Sequence, residues 1–211
     1  VVVRDAHMDA CNIFPDLLPE GAELIRGWMC HPASMMSGID ESFDAAMYIG
    51  YHSPAFTNTS PLAHTTNFSR YNYIKINDHI ASEFTINSLW ADMCHVPSIY
   101  LSGDEGICTR ATEEYPDIVT TAVKKGIGAG TWNLHPAAAI RQIKADVTQA
   151  LSHPHPLRQM NEHYVLEIQY KSHMDACNAS WYPGVTQLDA HTIRFESNHF
   201  YDVRVAMSFI G

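Results

Sequence analysis

Ala45-Ala46-Met47-Tyr48-Ile49-Gly50-Tyr51-His52 is an almost unbroken apolar run that stops on an imidazole. Aromatic and β-branched residues fit a covered, pleated surface, so Met47 to Tyr51 reads as a core strand. Its end delivers His52 to a loop mouth, where α/β folds place their chemistry. Working outward, residues 53–69 are dominated by Pro, Thr, Asn and Ser and form a long polar loop that contains His64. Long loops inside compact domains are commonly functional. On the other side, Ile39 to Ala46 predicts a helical turn or two. Val1 to Arg4 predicts a buried strand ending in Asp5-Ala6-His7, and Ala22 to Ile25 a short strand.

Downstream, Tyr71 to Ile76 alternates as a strand, and Asn77-Asp78 turns it into Ile80 to make a hairpin. Ser82 to Met93 carries Phe84, Ile86, Leu89, Trp90 and Met93 near helical spacing, which puts Glu83 in the first turn. Further strands are predicted at Ser98–Leu101, Ile118–Val123, Tyr164–Gln169 and Thr192–Glu196. Helices are predicted at Ile107–Glu114, Pro136–Leu151 and Phe200–Phe209. This alternation implies a layered α/β fold, a sheet flanked by helices, with the first sheet largely parallel. His153-Pro154-His155-Pro156 reads as a linker, because proline restricts itself and its predecessor. It divides the chain into a metal-binding α/β lobe, 1–152, and a smaller C-terminal α+β lobe, 153–211, packed as one unit. His-Met-Asp-Ala-Cys-Asn occurs at 7–12 and again at 173–178, with no wider repeat around it.

The 13 Lys and Arg against 23 Asp and Glu give a formal charge of −10, which disfavours nucleic acid and anionic membrane surfaces as partners. The sequence has no apolar stretch of about 18 residues and no signal-sequence pattern at its start. Five cysteines without CxxC spacing read as reduced, mostly buried thiols, which places the chain in the cytoplasm. The β-branched opening, without a methionine or polar lead-in, reads as the interior of a longer gene product.

His52, His64 and Glu83, with His7 as a fourth candidate, offer imidazoles and a carboxylate at element ends. That donor set suits zinc and the activation of water, so the chain reads as a metal-dependent hydrolase. Each residue alone is weak evidence, because 13 histidines are present and most histidines are surface or satisfied polar groups. His95, His135, His153, His155, His163 and His199 have no partnered spacing and read as surface or capping residues. Glu83 also has a structural reading, since an acid in a first turn complements the helix dipole. Ser60, Ser102 and Cys94 lack a nucleophile-elbow pattern, and Gly126-Ile127-Gly128-Ala129-Gly130 lacks the rest of a phosphate-loop fingerprint and reads as a turn.

Several pieces follow one another in collinear order: Asp5-Ala6-His7, Phe43 to His52, Ile76-Asn77-Asp78 with Glu83 and Asn87, Gly103-Asp104, Pro116, Val123-Lys124 and Pro183-Gly184-Val185. Together they resemble the bacterial zinc D-aminopeptidase family over nearly the whole chain. Gly50-Tyr51-His52 and the spacing from Ile76-Asn77-Asp78 to Glu83 are the most specific. The resemblance implies that His7, His52 and Glu83 are zinc ligands and that His64 is a non-ligand catalytic base or acid. It implies an aminopeptidase acting on short peptides or amides, and a ring-like homo-oligomer, a decamer, whose sites face an internal channel. The family also has an N-terminal Asp-x-Glu pair, whose Asp bridges two zinc ions and whose Glu completes one site. That pair is expected ahead of Val1, and with it a second zinc. Asp5 is expected to orient His7 as a hydrogen-bond acceptor. Two other readings fit the same fold: a non-catalytic metal-binding or assembly protein, and an amidase on another small amide.

Overall fold

The computed structural model describes residues 1–211 and folds them into three sheets and five α-helices. β1 (Val2–Arg4) and β2 (Glu23–Ile25) pair in parallel as a small unit, half-buried rather than in the core. The apolar run becomes β3 (Ala46–Tyr51), but as an edge strand with one face open rather than the expected covered core strand: Ala46 and Tyr48 are buried while Met47 and Ile49 are exposed. After the long loop come β4 (Tyr71–Ile76) and β5 (His79–Ile80), joined through Asn77 and Asp78, both at positive φ as a tight hairpin turn requires. α1 (Glu83–Met93) follows, then β6 (Ser98–Asp104), α2 (Glu105–Glu114), β7 (Val119–Ile127), β8 (Gly130–Asn133) and α3 (Pro136–Leu151). The chain closes with β9 (Tyr164–Tyr170), α4 (His173–Ala179), β10 (Val185–Gln187), β11 (Thr192–Ser197) and α5 (Phe200–Ile210).

β3, β6 and β7 lie parallel in that order, with β8 antiparallel on the far edge. All seven residues of β6 are buried, as expected of a strand covered on both faces. The second large sheet runs β10-β11-β9-β4-β5 and is antiparallel throughout. α1 lies between the two layers and is buried from Glu83 to Asp92. Ile86, Leu89 and Trp90 enter the core of the antiparallel sheet, while Phe84 and Ala91 enter the core built on β3 and β6. Half of its buried side chains are polar and are accommodated by hydrogen bonds, Thr85 donating to Glu114, Asn87 to Tyr51 and Ser88 to the Thr85 carbonyl, and Asp92 accepting from Tyr115. The site sits at the N-terminus of this helix.

Several elements differ from expectation. Ile39 to Ala46 forms turns, because the Asp40 carboxylate accepts from the amide and hydroxyl of Ser42 and competes with helical bonding. Across position 153, β4 and β5 share a sheet with β9, β10 and β11. Only Cys108 among the five free thiols is buried; Cys11, Cys30 and Cys177 are exposed. α4 and β10 carry no periodic apolar signal, and only Ala176 and Ala179 of α4 are buried. β6 and β7 extend past the predicted ends, to Asp104 and Ile127.

Candidate active site

The end of β3 is shaped by Gly50, which sits at φ +78° where the register with β6 shifts between Ile49 and Tyr51. Such a bulge re-aims the residues after it, here Tyr51 and His52. Tyr51 accepts a 2.9 Å hydrogen bond from the Asn87 amide, which ties the strand end to α1. Ser53, fully buried, is clamped by the end of the neighbouring strand. Its amide and hydroxyl donate to the Asp104 carboxylate at 2.8 and 2.6 Å, and Asp104 also accepts the Ile107 amide as the N-cap of α2.

The polar loop then folds back onto the same residue, with the His64 amide donating to the Ser53 carbonyl at 3.2 Å. Thr65 donates through its hydroxyl to the Ala81 carbonyl, and the Thr66 amide donates to Glu83 Oε1 at 2.9 Å. Glu83 opens α1 directly after the N-cap Ser82, which forms a capping box with Thr85. A carboxylate there is favoured by the helix dipole as well.

Three side chains converge. His52 Nε2 lies 3.5 Å from Glu83 Oε2, His64 Nε2 lies 3.8 Å from Glu83 Oε1, and the two imidazoles stack with ring centroids 4.0 Å apart. His52 Nδ1 faces the Ser53 carbonyl at 3.1 Å and His64 Nδ1 the Leu62 carbonyl at 2.6 Å. A carbonyl can only accept, so each Nδ1 carries the proton and each Nε2 offers its lone pair to the cluster. Glu83 is buried; burial pushes its pKa up, but the His52 bond and charge together with the Thr66 amide outweigh this and hold it below the ordinary glutamate value. For His52 burial acts downward, and Glu83 overrides it to raise the imidazole.

Two Nε2 lone pairs facing one carboxylate call for a shared positive charge, supplied by protonation or by a cation. One ligand atom from each of His52, His64 and Glu83 lies within 4.8 Å of the others. Zinc holds N and O donors at roughly 2.0–2.2 Å, so tetrahedral neighbours stand about 3.4 Å apart, close to the His52–Glu83 separation. The donor set therefore fits zinc.

His7 is exposed on the loop after β1 and stands outside this group of donors. Asp5 does not reach the His7 ring. Its carboxylate accepts the Asn12 and Ile13 amides and shapes the loop, and these bonds, against the upward push of burial, lower its pKa. Sequence reading passed over the clamp from Asp104 to Ser53, the Thr66 amide and the Ser82–Thr85 box. Only two signals for them are local: the Ser-x-x-Thr spacing around Glu83, and an aspartate heading a helix.

Comparisons with known proteins place the whole chain beside characterised relatives. A D-aminopeptidase of Bacillus subtilis (strain 168) is 28% identical over 211 residues, covering 98% of this chain and 76% of the relative. A solved structure, the zinc-dependent D-aminopeptidase DppA from Bacillus subtilis, described as a self-compartmentalizing protease, superposes with a TM-score of 0.90 at 28% identity. That match covers 99% of this chain and 77% of the solved one. The model of the D-aminopeptidase family of peptidases matches residues 1–209, and the chain belongs to that family.

Proposed function

We propose that the chain is a zinc-dependent aminopeptidase that hydrolyses N-terminal residues, D-residues included, from short peptides or amides. The observation that carries this reading is the convergence of His52 Nε2 and His64 Nε2 on the single buried carboxylate of Glu83. In this reading His52 and Glu83 hold zinc, His7 joins them from the loop after β1, and further carboxylates complete a second zinc position. Zinc, when bound, supplies Lewis acidity that makes water nucleophilic near neutral pH and polarises a carbonyl.

The remaining roles belong to side chains. The Ser53 carbonyl fixes the His52 tautomer so that Nε2 is the binding atom, and the Thr66 amide orients Glu83. His64 Nε2, more exposed than the buried Glu83, takes a proton from the attacking water and returns it to the leaving amine. Its Nδ1–H bond to Leu62 holds the ring in the tautomer that this needs. The subunits assemble as a homo-oligomer, a decamer in the full reading, within the cytoplasm. No helix is long and apolar enough to cross a membrane.

The test is hydrolysis of D-alanine amide and L-alanine amide by metal-analysed protein, with and without a chelator. Zinc-dependent release of D-alanine supports the reading. Chelator-insensitive turnover would remove the metal from the mechanism, and zinc binding without turnover would make this a binding protein.

A further inference from the structure

β7 outruns the sheet it belongs to. Its pairing with β6 ends at Asp104 opposite Lys124, and from Lys125 to Ile127 it pairs with β8 alone. The hairpin is thus a two-stranded arm projecting from the body, and an isolated two-stranded hairpin is marginal in water unless something packs against it. One face already has a neighbour: Gly126 backs so closely onto Thr59 and Ser60 that a Cβ there would come within 2.6 Å of the Thr59 carbonyl.

The opposite face is open and apolar. Lys125 is paired with Trp132, and the period of two places Ile127 and Leu134 on the same side. Ile127 is 54% exposed, Trp132 67% and Leu134 46%, and the Lys125 ammonium lies 5.1 Å from the centre of the Trp132 ring. Ile140, early in α3, is 67% exposed. From Val119 to Leu151 the chain holds Lys124, Lys125, Arg141 and Lys144 against Asp146 alone, in a protein whose formal charge is −10.

We propose that this face of the β7–β8 arm, Ile127, Trp132 and Leu134 rimmed by Lys125, is where a second copy of the chain docks. The inference rests on the homo-oligomer reading above and adds the surface that makes the contact. A basic, apolar arm on an acidic body is complementary to the body of another copy and unlike itself. The contact is therefore head-to-tail, the kind that closes into a ring when the rotation allows. Thr59 and Ser60, against which the arm rests, belong to the loop that carries His64, so docking also steadies the segment that brings His64 to Glu83.

The test is sedimentation velocity on the zinc-loaded full chain, compared with the double variant Ile127→Ser/Trp132→Ser and the single variant Lys125→Glu. The wild type is expected as an oligomer. In the double variant the protein concentration for half-assembly should rise at least about tenfold, with far-UV circular dichroism unchanged. Lys125→Glu should weaken assembly at low salt and less so in 0.5 M NaCl, roughly the range where screening is strong. A monomeric wild type defeats the oligomer reading and this surface with it. An oligomeric wild type whose variants assemble normally defeats the surface alone. Should the double variant lose its fold, Lys125→Glu decides, and normal assembly of that variant at low salt overturns the proposal.

Discussion

His52 and His64 stack face to face and turn the same ring nitrogen, Nε2, toward opposite oxygens of Glu83. Each ring is locked by an Nδ1–H bond to a backbone carbonyl, from Ser53 and Leu62, so neither can flip without breaking that bond. One residue, Ser53, ties the pair together by accepting from His52 Nδ1 and from the His64 amide.

The division of labour between the two imidazoles is separable by mutation. His52→Ala and Glu83→Gln should each weaken zinc binding at least about tenfold to a hundredfold, since even supporting residues of metal sites cost that much. His64→Ala should keep zinc while turnover falls about 100- to 10,000-fold, the usual loss for a general acid or base. Equilibrium dialysis with zinc, paired with kcat, reads both. Loss of zinc from His64→Ala would make it a ligand.

Asp104 is 51 residues from Ser53 in sequence yet holds it by two hydrogen bonds while capping α2. Asp104→Ala should therefore cost about 1–2 kcal/mol from the lost cap and should weaken zinc binding as well, because the His52 strand end is released. Ser82→Ala removes a cap at the Glu83 end of α1 and should cost about 1 kcal/mol. Urea unfolding of the metal-free proteins gives the stability change, and zinc titration gives the second effect.

Asp92 is buried at the far end of α1, where it accepts the Tyr115 hydroxyl. Burial pushes its pKa up to about 6, against the opposing help of Tyr115 and Arg158. The folded state thus keeps a proton that the unfolded chain releases, so stability falls as pH rises from the ordinary aspartate range through about 6. Asp92→Asn should remove this dependence, stabilising the protein by about 1–2 kcal/mol at pH 8 and little at pH 4. Thermal melts across that range check it, and an equal effect at both ends would contradict it.

Leu89 reaches the core of the antiparallel sheet from a helix whose other side packs on the parallel layer. Leu89→Ala should cost about 2–5 kcal/mol, and because Glu83 rides on the same helix, zinc affinity should drop with it. Denaturant midpoints in the presence and absence of zinc measure both.

Elements with a strong local period were legible from sequence: β3 from its apolar run, β4–β5 from alternation and an Asn-Asp turn, and α1 and α3 from their spacing. His52 and Glu83 could be singled out because they stand at element ends, after β3 and at the start of α1, whereas His64 lies within the long loop. Long-range partnerships were not. Nothing local tells that β9 pairs with β4, nor that Asp104 clamps Ser53, since those contacts are set by packing across 50 or more residues. The end of β7 and its partner β8 were missed for a different reason. Glycines and exposed residues dominate them, so their strand character rests on pairing and lacks a buried face. His7 enters the ligand set by resemblance alone, from the exposed loop after β1, and no local pattern marks it.

Anomalous X-ray diffraction at the zinc edge, on crystals of the zinc-loaded protein, tests the central claim most directly. The account predicts a peak within bonding distance of His52 Nε2 and a Glu83 carboxylate oxygen, with His64 Nε2 facing it from the side. A zinc bound elsewhere, or a loaded protein with no peak between His52 and Glu83, would contradict it.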